Sequence, residues 1–175
     1  MGPTLLIAMV LLADAGGSDP KVAAAEKGRA ATATLKKSLK EALVTALKTS
    51  PEAAIEVCAV QAPALAAQAS SKDVVVGRSA VALRNSANAP RPWVAEAMKQ
   101  LAARPMDGES RVIELENGKV GYVETIVTQK MCLTCHGTQL APPVAKALKA
   151  RYPADRATGF KEGDFRGVVW AEISR

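Results

Sequence analysis

Three residues in the last third of the chain carry chemistry at a fixed spacing: Cys132, Cys135 and His136, in the order Cys-x-x-Cys-His. Two thiols separated by two residues can be presented by one tight turn, and each can add across one vinyl group of a porphyrin. A histidine directly after the second cysteine can then supply an axial nitrogen to the iron. This spacing is the attachment signature of c-type haem. It predicts one covalent haem c, anchored by Cys132 and Cys135, with His136 as an iron ligand.

Three other chemistries use the same cysteines. A redox-active dithiol of the thioredoxin type would need a strand before the motif and a helix after it, whereas two prolines follow closely here. A zinc site could combine Cys58 with the motif, although the adjacent Cys135 and His136 would have difficulty pointing at one metal. A disulfide between Cys132 and Cys135 would leave His136, the only histidine in the chain, without a role.

The second axial ligand stays open when the residues are considered alone. Cys58 is the third cysteine and has no disulfide partner in the chain if haem takes the other two. Free cysteine usually behaves as a small buried hydrophobe. Pro63 lies five residues later in a helical pattern, where it should kink the helix and could make room for a ligand. Met98, Met106 and Met131 are the other candidates, because methionine commonly partners histidine in cytochromes c.

The N-terminal segment has the pattern of an export signal. An apolar run over residues 5–12, too short to span a bilayer, precedes Ala13-Asp14-Ala15, an A-x-A cleavage pattern. Residues 1–15 are therefore predicted to be a signal peptide and the chain to be periplasmic, although no Lys or Arg precedes the apolar run. No later stretch predicts a transmembrane segment, so a soluble mature chain is expected.

Composition and charge narrow the possible partners. The 175 residues are 49% hydrophobic but only 3% aromatic, a thin core that a flat apolar cofactor would fill. The formal charge of +6 comes partly from lysines along the first predicted helix, which predict a solvated face able to steer an acidic redox partner. Nucleic-acid binding is not expected, because basic and aromatic residues are not interleaved.

The predicted elements alternate helices with short strands. Asp19-Pro20 favours a helix start, and leucines at three- and four-residue steps carry this helix to Lys48. Its part before Thr34 is less patterned and is expected to project or fray. Asn117-Gly118 between two β-prone runs predicts a type I′ hairpin whose second strand leads almost directly to Cys132. The other predicted elements are a helix over 51–70, a strand over 73–78, helices over 93–103 and 142–152, and a strand over 165–173. This order predicts an α+β fold with an antiparallel sheet.

Four segments together resemble a known family, the DUF3365 or Tll0287-like c-type haem domains. The resemblance spans roughly residues 50–174 and rests on these matches: Ala53 to Cys58 with Pro63; Gly77 to Ser79 with Leu83 to Asn85 and Asn88 to Pro90; Cys132 to Gly137; and Tyr152 to Phe160 with Gly163 to Gly167. It implies a PAS-like antiparallel sheet flanked by helices. The expected domains are an N-terminal helical region, 16–49, and a PAS-like haem domain, 50–175.

The resemblance also implies a function. Family members are standalone exported proteins or sensor modules, and a helical cysteine, matched here by Cys58, is the axial ligand opposite the histidine. The chain is therefore expected to be an exported monohaem cytochrome that senses redox state or a diatomic gas and signals through another protein. The alternative is a soluble periplasmic electron carrier. Enzymatic activity is not expected, because the only histidine is already committed. Arg78, Arg84 and Arg91 are candidate contacts for the haem propionates, which suit guanidinium forks.

Overall fold

The computed structural model describes residues 19–174 of the chain. The predicted signal peptide, 1–15, lies outside them. The helices are α1 Pro20–Thr49, α2 Pro51–Glu56, α3 Ala62–Gln68, α4 Pro92–Ala102, α5 Leu133–His136 and α6 Pro142–Arg151, with a π-helical turn, Val57–Gln61, between α2 and α3. The strands are β1 Val74–Ser79, β2 Ser110–Glu114, β3 Val120–Val127 and β4 Phe165–Ile173. Among residues 19–174, no helix is both long and apolar enough to cross a membrane.

The strands form one antiparallel sheet in the order β1-β4-β3-β2. The predicted hairpin is present: Asn117 and Gly118 have φ values of 59° and 71°, and the Lys119 N–H donates to the Glu116 carbonyl. Positive φ at both central residues is what a type I′ turn requires, and Asn-Gly tolerates it. The α+β prediction is confirmed, with a four-stranded antiparallel sheet and flanking helices.

Helices cover both faces of the sheet. On one face, α1 and α3 pack on a cluster that includes Leu35, Leu39, Tyr122 and Ile173. On the other face, α4 buries the residues Val94, Ala97, Met98 and Leu101 against Val123, Val168 and Trp170. Strand β4, the last in the sequence, lies between β1 and β3 in the sheet. Its side chains contribute to the cores on both faces.

The first half of α1 docks on the sheet, so the expectation that it would project or fray is wrong. Its buried positions are Ala24, Gly28 and Thr32, followed by Leu35 and Leu39, a stripe at steps of three and four residues. These first three side chains are small, and a Cβ at Gly28 would lie 2.6 Å from the Cβ of Tyr122. The hydrophobic pattern did not predict this interface, because close approach of the backbone creates it, rather than large apolar side chains.

We expect Gly28→Val to destabilise the protein, because the new side chain would collide with Tyr122. Overpacking of this kind costs about 1–3 kcal/mol. Ala30→Val is the matched control, since Ala30 is exposed on the same helix and the substitution adds the same β-branched group. Urea denaturation of both variants measures the difference in unfolding free energy. Equal stabilities would contradict the close packing of α1 on β3.

Candidate haem site

Cys58, Cys132, Cys135 and His136 line one cavity of about 440 Å³. Ligand pockets commonly have volumes of about 300–1,000 Å³. One wall is apolar and is formed by Leu39, Leu43 and Leu47 of α1. The other walls come from the π-helical turn, the end of β1 with its following loop, β3, and the start of β4. The fold thus brings the third cysteine to the Cys-x-x-Cys-His motif.

The motif forms one compact turn directly after the sheet. β3 ends at Val127, a single 3₁₀ turn covers Lys130–Cys132, and α5 covers Leu133–His136. Gly137 ends the turn by donating its N–H to the Leu133 carbonyl at 3.0 Å, and a Cβ at Gly137 would lie 2.6 Å from that oxygen. Glycine is required here because of this close approach. Cys132 and Cys135 are half-buried free thiols within the turn.

The ring of His136 is held in one orientation. Its Nδ1 lies 2.6 Å from the Ala157 carbonyl oxygen. A carbonyl oxygen only accepts hydrogen bonds, so Nδ1 carries the proton and Nε2 keeps the lone pair that could bind a metal. Burial, followed by the charges of Arg166 and Arg84, lowers the pKa of His136 to about 3. The imidazole is therefore neutral at ordinary pH, which is the form that ligates metals.

Backbone hydrogen bonds also hold the main chain around His136. The His136 carbonyl accepts the Phe160 N–H at 2.9 Å, and the Gly137 carbonyl accepts the Gly159 N–H at 3.0 Å. The Phe160 ring stands edge-on to the imidazole, with 6.3 Å between the ring centroids. The loop over residues 155–163 is thus the segment that positions the motif histidine.

Arg84 joins this loop to the motif. Its Nε pairs with Asp155 Oδ2 at 3.0 Å, and its Nη2 donates to the carbonyls of Cys135 and Ala157 at 2.6 and 3.3 Å. The other carboxylate oxygen of Asp155 accepts the Ala157 N–H at 2.7 Å. The Arg84 and Asp155 side chains are only 8% and 11% exposed. Arg84, a predicted propionate contact, lines the cavity, but these donors are committed to the protein.

The other two predicted arginines differ in position. Arg78 lies at the end of β1 and lines the cavity. Arg91 does not line it. Its guanidinium lies over the Trp170 ring, 4.5 Å from the centroid, and pairs with Glu172. The proposal that Arg91 contacts a propionate is therefore corrected, because Arg91 directly precedes α4 and packs on the sheet beside this helix.

Arg166 is a cavity residue that sequence reasoning did not single out. It is half-buried at the start of β4, and its guanidinium lies 5.1 Å from the Phe160 ring centroid. Burial, and then the charges of Arg78 and Arg84, lowers the pKa of Arg166 to about 10. The available signal was a charged residue at the start of a mainly apolar strand, a position where arginine usually has a specific partner.

Cys58 sits in the π-helical turn between α2 and α3. The Ala62 N–H donates to the Val57 carbonyl, five residues back, and the next residue, Pro63, has no N–H with which to continue the pattern. The kink predicted at Pro63 therefore takes the form of a π-turn just before the proline. Such turns are frequent at functional sites.

Packing on α6 brings α2 and the π-turn towards the motif. Ile55 of α2 packs with Val144 and Leu148 of α6, and Cys135 and Tyr152 lie against the same cluster. Among the predicted alternatives to Cys58, Met131 lines the cavity, Met98 is buried in α4 against the opposite face of the sheet, and Met106 is 63% exposed. Two sulfur ligands are thus available at the cavity, Cys58 and Met131.

The geometry is less favourable to the other chemistries. Within residues 19–174, no three His, Cys, Asp or Glu side chains are arranged to hold a metal ion, so the four-residue zinc set is not assembled. Burial raises the pKa of the Cys135 thiol, whereas a reactive dithiol needs a lowered pKa. The donor set, two thiols on one turn with an oriented neutral imidazole and a cavity alongside, fits a c-type haem.

Comparison with known proteins agrees with the fold and with the predicted resemblance. The chain belongs to the Tll0287-like family, whose profile matches residues 18–174 and therefore includes α1. The solved structure described as the crystal structure of the cyanobacterial heme-protein Tll0287 is similar to this chain, with a TM-score of 0.53 and 29% sequence identity. The match covers 67% of this chain and 69% of that chain. Comparison with curated proteins gives no significant match.

We expect Arg84→Gln to destabilise the protein, because it leaves the nearly buried Asp155 carboxylate without its ion-pair partner. Removing one member of a buried pair costs about 3–5 kcal/mol. Arg156→Gln is the matched control, an exposed arginine one residue beyond Asp155. Chemical denaturation measures both unfolding free energies. A difference of less than about 1 kcal/mol would mean that the pair contributes no more than a surface ion pair.

Proposed function

We propose that this chain is an exported monohaem c-type cytochrome that acts as a redox-responsive or gas-responsive haem sensor. The observation that carries the proposal is the convergence of Cys58, Cys132, Cys135 and His136 on one cavity. The similar structure is described as a heme-protein, which supports the same cofactor here. The periplasmic location rests on the signal-peptide pattern of residues 1–15.

Each residue has a defined role in this proposal. Cys132 and Cys135 hold the porphyrin through thioether bonds, and His136 offers Nε2 because Ala157 occupies Nδ1. Cys58 offers its sulfur from the π-turn. Bound haem would supply a redox-active iron that takes protein ligands or a diatomic gas. The protein keeps His136 neutral and oriented, and the leucines of α1 form one apolar wall of the site.

A sensor needs an element that responds to a change at the site. The π-turn that carries Cys58 contacts α1 and is continuous with α2 and α3, which also pack on α1. A change in the bonding of the Cys58 sulfur would therefore act on the helices that cover one face of the sheet. This arrangement favours a sensor that passes its signal to a separate protein, rather than an enzyme.

The ligand assignment is tested with matured holoprotein from the envelope of a host competent for cytochrome c maturation. We expect Cys58→Ala to abolish a low-spin thiolate EPR signal in the ferric protein and to raise the reduction potential, because a thiolate stabilises ferric iron. Met131→Ala, the other sulfur at the cavity, should leave both unchanged. If the thiolate signal survives Cys58→Ala, Cys58 is not the ligand.

The sensor role is tested on the parent holoprotein by reduction with and without CO or NO. A sensor is expected to change its ligation or spin state on reduction, or to bind the gas. Six-coordination that persists in both redox states without gas binding would instead identify a soluble electron-transfer cytochrome.

Pro63 should position the Cys58 ligand through the π-turn. In Pro63→Ala, residue 63 regains an N–H, so we expect an ordinary α-helix to compete with the π-turn and to move the Cys58 sulfur. The expected result is a mixture of ligation states in the ferric EPR spectrum and easier gas binding. Pro51→Ala removes a proline from the first turn of α2, where a backbone N–H has no hydrogen-bond acceptor within the helix. This control should therefore leave the spectrum unchanged. A parent-like spectrum in Pro63→Ala would show that the π-turn does not set the ligand position.

A further inference from the structure

Three guanidinium groups line the cavity, and their charges are unequally balanced. Arg84 is paired with Asp155. Arg78 and Arg166 form no ion pair with any carboxylate among residues 19–174, and neither donates a side-chain hydrogen bond to the protein there. Arg78, Arg84 and Asp155 all act on Arg166 electrostatically. One carboxylate thus faces three cations, which leaves two positive charges.

This excess charge is costly without an anion. Burial removes hydration from the Arg166 guanidinium, and the charges of Arg78 and Arg84 repel it, so the pKa of Arg166 is lowered to about 10. The cation–π contact with Phe160 covers one face of Arg166 but supplies no hydrogen-bond acceptor. Planar guanidinium groups with unused donors are suited to bind carboxylates in a bidentate manner.

The other charged residues at the cavity cannot supply the missing anion. The Glu124 carboxylate is occupied by Lys36 and by the Tyr122 hydroxyl. Asp107 accepts the Val127 N–H and contacts Gln129. The remaining lining charge, Lys40, is itself a cation and is exposed.

We infer that Arg78 and Arg166 are the pair that binds the two propionate carboxylates of haem, whereas Arg84 has a structural role. This inference rests on the proposed function. Two carboxylates would neutralise the two unpaired guanidinium groups and would add ionic contacts at the porphyrin edge to the covalent anchoring by Cys132 and Cys135. Arg78 and Arg166 would then hold the porphyrin edge from two adjacent strands, since β1 and β4 pair directly.

The test compares porphyrins with and without free propionates. Full-length apoprotein, produced without haem attachment and kept reduced, is titrated with hemin and with hemin dimethyl ester. We expect the parent to prefer hemin over the ester. Arg78→Gln and Arg166→Gln should each reduce this preference about tenfold, because each variant loses charge-assisted hydrogen bonding to one carboxylate. Arg91→Gln and Arg156→Gln, arginines outside the cavity, should keep the parent's preference.

The outcomes separate this inference from the proposed function. Equal binding of hemin and its ester by the parent would overturn the propionate assignment while leaving haem binding intact. If the apoprotein binds neither porphyrin, the assignment is tested by the reduction potentials of the matured holoproteins. Arg78→Gln and Arg166→Gln should lower the potential. Arg91→Gln and Arg156→Gln should leave it unchanged. Equal potentials in all four would overturn the assignment, and matured material without haem would overturn the proposed function itself.

Discussion

The hydrogen bond from His136 Nδ1 to the Ala157 carbonyl is the interaction on which the site depends. It sets the tautomer and the direction of the ring, and it holds only if Ala157 itself is fixed. Asp155 fixes Ala157 through its N–H, and Arg84 bonds both to Asp155 and to the Ala157 carbonyl. Arg84 also bonds to the Cys135 carbonyl, so one guanidinium aligns the attachment turn with the loop that orients its histidine. A lysine could not reach three acceptors in this planar arrangement.

The cavity exists because the two halves of α1 contact the fold in different ways. The first half carries small residues and lies directly on the sheet, with Gly28 against Tyr122. The second half carries leucines, of which Leu43 and Leu47 are only partly buried by the protein and face the cavity. A chain with so few aromatic residues thus has an apolar wall ready for a flat ligand. The close docking of the first half holds that wall in place.

Local signals in the sequence predicted most of the fold. Asn117-Gly118 predicted the hairpin because the turn depends on two adjacent residues, and the Cys-x-x-Cys-His spacing predicted the anchoring turn for the same reason. Tertiary partners could not be read in this way. Arg91 was assigned to the site because its guanidinium suits a propionate, yet it lies over Trp170 and pairs with Glu172. Arg166 was missed because its place at the cavity becomes evident only beside Arg78 and Arg84, which are distant in sequence.

The two proposed axial ligands are held with unequal firmness. His136 is held by hydrogen bonds at its ring, at its own carbonyl and at the Gly137 carbonyl. Arg84 also donates a hydrogen bond to the carbonyl of the preceding residue, Cys135. Cys58 is half-buried in a π-turn that has no side-chain capping bond, and Pro63 removes one backbone donor next to it. Within residues 19–174, the Cys58 turn thus has no side-chain capping bond comparable to the contact that orients His136. In a haem protein with this arrangement, a change in iron ligation would be taken up by the Cys58 turn and passed to α1, while the attachment turn stays in place.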